Sequence, residues 1–273
     1  MFSSNPQGAQ WAWLQQLQQS YHKSTQANIN TWLTKATLDN ENPPKAKHVR
    51  RVIVACLRDP AYTPTYIASF LICERPWQVD PRISAKSLFL ILIVLQYQVD
   101  VASYCSINSM IERVVTYYST NPPDKRQLYA SVAQRIGAII RSKLAYHGSN
   151  PNVEGNFSIP KVSKQQYSSP EFIDSLRRHL FSVHYETSGV MAAVTSSEDF
   201  AATVLWQPMV DETVSAYRLL KSIDYSQESA DLLHQCEELI KRLPQYPYIA
   251  TTVIFPEPGE RVTIPRERFP RQI

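Results

Sequence analysis

Glycine is scarce in this chain of 273 residues, at 6 against 19 prolines. Long periodic segments with so little glycine favour helices broken at proline-marked turns. Cysteine is sparse too. Cys56, Cys73, Cys105 and Cys236 lie far apart, with no CxxC spacing. They sit in apolar helical contexts and read as reduced, buried side chains of a cytosolic protein. Catalytic signatures are missing: there is no GxGxxG, GxxxxGK[ST], HExxH or GxSxG. The 6 histidines (22, 48, 147, 179, 184 and 234) are dispersed. His179 and His184 are five apart and would not share a helical face, so no metal site is expected. Glu237 and Glu238 read as a solvated face, and Cys105 has no evident partner base. Nothing here supports an enzyme or a cofactor.

The sequence also lacks a long apolar run. The most apolar stretch, residues 88–95, is too short to span a bilayer. The start, MFSSNPQG, has no charged segment followed by an apolar one, so no signal peptide is expected. Any membrane contact would be peripheral. Charge of one sign does not dominate either, with 28 Lys and Arg against 24 Asp and Glu, a net +4. A hydrophobic content of 44% suffices for a real core in one large domain or two small ones.

Against this even background one stretch stands out: residues 35–51, KATLDNENPPKAKHVRR. Lys45, Lys47, His48, Arg50 and Arg51 fall within seven residues, and Lys35 sits ten positions before Lys45. Pro43 and Pro44 mark a helix start. Val49, Val52, Ile53 and Cys56 then recur with the spacing of one apolar helical face. Lys45, Lys47 and His48 should therefore lie in the first turn, where unpaired backbone N–H groups and the positive end of the helix dipole gather. The preceding segment, 24–37, also reads as helical, with Ile29, Trp32, Leu33 and Ala36 apolar. The loop 38–44 can bring Lys35 back to the start of the next helix. Such a tip suits a phosphate-rich anion. A nucleic acid fits less well, because the cluster is a point rather than a stripe and no aromatic residues interleave with it.

Periodicity predicts further helices over 45–59, 62–73, 83–97, 104–118, 124–146, 170–185, 198–223 and 227–243. The 83–97 segment is apolar nearly all round and should be central and buried. Asp124 is the expected N-cap of its helix. Residues 147–169 read as a surface loop. Residues 248–255 and 262–264 are β-branched and aromatic, and read as extended chain. No internal repeat of fixed period is evident. About nine helices joined by short loops give an all-α fold, an irregular α-solenoid with an extended C-terminal segment. Residues 9–23 could form a short amphipathic helix. It would either pack on the domain as a first helix or lie in the lipid interface with Trp11 and Trp13 at the head-group boundary. Its Gln-rich polar face favours packing.

The basic stretch resembles the phosphoinositide motif of the ANTH domain, the helical membrane-binding domain of clathrin adaptors. That motif is Lys, nine residues, Lys, any residue, Lys or Arg, then His or Tyr. Here it reads Lys35, nine residues, Lys45, Ala46, Lys47, His48. Two further segments, LAYHGSNPNVEGNFSIP (144–160) and YIATTVIFPEP (248–258), are similar to those of the huntingtin-interacting-protein and Sla-type clathrin–actin adaptors. The turn Glu154-Gly155-Asn156 departs from that subfamily's Asn-Gly form. The resemblance implies that Lys35, Lys45, Lys47 and His48 grip the head group of phosphatidylinositol 4,5-bisphosphate without a deep pocket. Arg50, Arg51, Trp11 and Trp13 would be accessory membrane contacts. It implies co-assembly with epsin-type ENTH domains, and a place at endocytic sites on the cytosolic face of the plasma membrane. Links to the clathrin coat and to actin would lie in regions outside this chain. The expected layout is an N-terminal extension or short helix (1–23), an ANTH-like domain (24–258) and an extended tail (259–273). The alternative is a helical interaction scaffold whose basic patch takes an acidic peptide or a soluble inositol phosphate.

Overall fold

The computed structural model describes residues 26–158, 167, 169–195, 200–224 and 226–242, and among these none lies in a strand. Among the described residues nine α-helices follow one another. The first, α1, covers 26–36 and buries Ile29, Leu33 and Ala36 at helical spacing. Then come α2 (Ala46–Arg58) and α3 (Thr63–Ser69), which runs into a π turn (Phe70–Glu74). After α4 (Pro81–Gln96), a 3-10 turn (Ala102–Ile107) leads into α5 (Asn108–Thr120). The series closes with α6 (Gln127–Ser149), α7 (Pro170–Thr195), α8 (Phe200–Ile223) and α9 (Gln227–Arg242). The expected all-α solenoid is what the chain forms.

The apolar run predicted to be central is so. Of the 16 residues of α4, all but Ile93 and Gln96 are buried. Asp80 caps this helix by accepting from the Arg82 N–H at 2.9 Å, and Pro81 occupies the first turn, where a missing N–H costs nothing. Helices α2, α3, α6 and α8 pack around α4, and α6 in turn packs on α5 and α7. One continuous core runs from α1 to α6 and takes in the facing parts of α7 and α8. A second gathers Tyr146, Phe157, Leu176, Leu220 and Cys236 between the end of α6 and α9.

Several boundaries differ from the sequence reading. Helix α6 starts at Gln127, not at Asp124. Its N-cap is Arg126, held left-handed at φ 63° while its guanidinium reaches Asp80 at 3.0 Å. It also continues through His147, so this histidine is buried in a helix rather than displayed on a loop. Helix α7 runs ten residues past Tyr185, because Val190 and Val194 join the main core. Gly189 leaves there the space filled by the Arg135 guanidinium, whose Nη1 would lie 2.3 Å from an added Cβ. Only two cysteines are buried, Cys56 and Cys236. Cys73 and Cys105 are exposed, being on short turns that present one side to solvent. Residues 9–23, with Trp11 and Trp13, and the segments 248–255 and 262–264 lie outside the described residues.

Candidate anion-binding site at the tip of α2

Pro44 directly precedes Lys45, which is the N-cap of α2, so the prolines set the entry to the helix without being part of its first turn. Lys47 and His48 lie in that turn. It holds no acidic residue, and no side chain caps it. The first backbone N–H groups of a helix lack the usual acceptor within it; here that of His48 donates to the Lys45 carbonyl at 2.9 Å. The apolar face below is the predicted one, Val49, Val52, Ile53 and Cys56. It fixes which way the tip faces.

Lys35 sits in the last turn of α1 and is exposed, as are Lys45 and Lys47. His48 is the point where they converge. Burial is the largest cause that pushes its pKa below 6.5. The charges of Lys47, Lys35, Arg51 and Lys45 then add in the same direction. Lys35, far away in sequence, thus acts on the same ring as the residues of α2. His48 itself is 6% exposed, and its Nδ1 is buried with no hydrogen-bond partner. Arg50 is half-buried. Arg51 is exposed and stacks over the Trp32 ring of α1 at 5.6 Å, so it also fastens α1 to α2.

The residues that hold this arrangement are ones the sequence did not single out. Arg75 donates to the Thr37 carbonyl at 2.9 Å and to its hydroxyl at 3.1 Å, a cation placed at the C-terminal end of α1. Lys86, from the heart of α4, donates to the carbonyls of Leu38 (2.7 Å) and Asn40 (2.8 Å) and to the Asn40 side chain (3.3 Å). Arg82 pairs with Glu41 at 2.5 Å and with Asp80 at 2.7 Å. Of the acids in the 38–44 loop, Glu41 bonds Arg82, and the charge of Asp39 is felt at Arg75 and Lys86. Among the described residues, Lys35, Lys45 and Lys47 have no ion-pair partner. The tip therefore carries uncompensated positive charge on a fixed frame. One signal was available in the sequence: a lone lysine inside an apolar run must find partners when buried.

The other concentration of charge is internal. Lys143 donates to Glu212 at 2.8 Å and to the Gly155 carbonyl at 2.6 Å. His179 reaches Glu212 at 3.1 Å, and Gln96 donates to it at 3.1 Å. Burial opposes ionisation of Glu212, but the Lys143 charge and the His179 hydrogen bond outweigh it and hold the carboxyl at about 2. Lys143, His179 and Glu212 are at most 2% exposed, so this network ties α4, α6, α7 and α8 together, with the half-buried Gln96 at its edge. Gly155 is locked beside it, since a Cβ there would lie 2.0 Å from the Leu95 carbonyl. Among the described residues, no three His, Cys, Asp or Glu side chains gather as a metal would need. Two surface grooves, one beside Trp77, Arg113 and Tyr117 and one beside Arg135, Phe181 and Tyr185, share no residue with the α2 tip. No described helix is long and apolar enough to cross a membrane.

No family model matches the sequence, and neither does any curated protein. A solved structure does share the architecture: the ENTH domain from epsin-2 in complex with phosphatidylinositol 4,5-bisphosphate. The match has a TM-score of 0.68 at 17% identity and covers 86% of this chain and 98% of that one. At that identity the likeness establishes the fold. The chain shares the all-α architecture of that domain.

Proposed function

We propose that this chain is a phosphoinositide-binding domain of the ANTH type, from a clathrin adaptor that works at endocytic sites on the plasma membrane. Lys35, Lys45, Lys47 and His48 would hold the head group of phosphatidylinositol 4,5-bisphosphate. The observation that carries the reading is that the charges of Lys35, Lys45, Lys47 and Arg51 all act on His48, at a helix start that no side chain caps. Flexible ammonium groups and free N–H donors suit phosphate oxygens on a surface site. The fold of the epsin-2 domain, which was solved with this same lipid, supports the reading.

Arg51, and Arg50 where it reaches the surface, would add attraction to anionic lipid worth about 1 kcal/mol per basic residue. One such site binds modestly, so docking is expected to use several copies, with an epsin-type ENTH domain as co-assembling partner. Trp11 and Trp13 remain candidate interfacial contacts. Clathrin and actin would be reached through regions outside this chain. The test is co-sedimentation with vesicles that contain or lack about 5% phosphatidylinositol 4,5-bisphosphate, comparing wild type with Lys45→Glu/Lys47→Glu. The expected result is lipid-dependent pelleting that the folded double mutant loses. Equal pelleting of both proteins would move the contact elsewhere. A wild type that binds only soluble inositol phosphate or an acidic peptide would replace the membrane reading with the scaffold one.

A further inference from the structure

Lys86 is an expensive residue for its place. It is 1% exposed, on a helix whose other buried side chains are apolar apart from Arg82, Ser84 and Ser87. A methionine would fill much the same volume without a charge to desolvate. Its ammonium has three donors, and all three are used on the loop between α1 and α2. No carboxylate is hydrogen-bonded to it; carbonyl dipoles of Leu38 and Asn40 meet the charge instead. That loop joins Lys35, at the end of α1, to Lys45, at the start of α2, where the shared core and the Arg51–Trp32 contact leave the local spacing to its backbone.

The neighbouring cations do different work. Arg75 fixes the end of α1 at Thr37, before the loop begins. Arg82 holds Glu41 side chain to side chain, and the Glu41 carboxylate is 68% exposed, so this contact leaves the backbone free. Lys86 is the group that binds the backbone of two loop residues from inside. Without it, the Leu38 and Asn40 carbonyls lose that partner and the loop is free to shift.

We infer that Lys86 is a positioning residue, which sets the spacing of Lys35 from Lys45 and so the preference of the α2 tip for a bisphosphorylated head group over bulk anionic lipid. The inference rests on the proposed function above. Lys86 does not touch the ligand. It acts through the loop, and its removal leaves the exposed cations in place but unaligned. Charge-driven adhesion should therefore survive while head-group recognition fails.

The experiment compares wild type with Lys86→Met on two vesicle types, one containing phosphatidylinositol 4,5-bisphosphate and one matched in charge with phosphatidylserine. Far-UV circular dichroism checks the fold. Binding to the bisphosphate vesicles should fall about tenfold, the loss of one aligned charge-assisted contact, while binding to phosphatidylserine vesicles stays unchanged. Undiminished bisphosphate binding by the variant would overturn the inference, as would an equal loss on both vesicle types. A wild type that ignores the bisphosphate lipid would instead defeat the proposed function itself. If Lys86→Met does not fold, Lys86→Gln, whose shorter and uncharged side chain cannot make all three loop contacts, is judged by the same two criteria.

Discussion

Three of the 6 histidines, His48, His147 and His179, are at most 6% exposed, and burial is the largest cause that lowers each pKa from 6.5. The unfolded chain takes up these protons near pH 6.5 and the folded chain resists. Stability is therefore full above that pH and is lost as the pH falls below it, by up to about 1.4 kcal/mol per pH unit for each ring that titrates. The lowered carboxylates of Asp80 and Glu212 act only at more acid pH, around 4 and below. Thermal melts between pH 7.5 and 5 (a range set around the ordinary histidine pKa of about 6.5) should show a midpoint that drops by several degrees below pH 6.5. A midpoint that stays flat or rises would contradict this. At this scale the lysines of the tip were legible from spacing alone. The burial of His48 was also latent in the spacing: it precedes Val52 by four residues and shares its side of α2. Lys86 was hidden, because one lysine does not disturb the average of an apolar helix.

Helix ends show where local pattern stops deciding. Asp80 caps α4 and binds Arg82, and it also takes the guanidinium of Arg126 at the start of α6. A carboxylate reached from two helices moves the α6 boundary to Gln127, which no reading of Pro122, Pro123 and Asp124 could reveal. Asp80→Ala removes the cap and leaves the buried Arg82 guanidinium with Glu41 alone. It should cost about 3 kcal/mol or more, measured as a lower urea midpoint with unchanged slope. A loss below about 1 kcal/mol would show that the Asp80 links carry little of the load. The π turn after α3 is another such case. The Trp77 indole donates to the Ile72 carbonyl at 2.7 Å and so supplies a partner within the widened turn. Tertiary partners, absent from any short window of sequence, decide these ends.

For the whole molecule, burial is graded from the centre outward. Helix α4 touches α2, α3, α6 and α8, and α6 touches α4, α5, α7 and α8, whereas α9 rests on α7 and α8. Amide hydrogens of α4 and α6 should therefore exchange most slowly and those of α9 much faster, as hydrogen-exchange mass spectrometry would read. Equal protection throughout would instead mean a single cooperative unit. That the chain is helical, where most helices run, which helix is central and which cations gather at one helix start were all readable from the residues in order. Those follow from periodicity, proline placement and the cost of leaving apolar faces in water. Tertiary packing was needed to bury His48 beneath the charges of Lys35, Lys45 and Lys47, to bring Lys86 to the loop between them, and to join Lys143, His179 and Glu212 in a buried network. Those pairings depend on contacts between residues far apart in the chain, and they are fixed by which polar groups must find partners once the apolar faces have been buried.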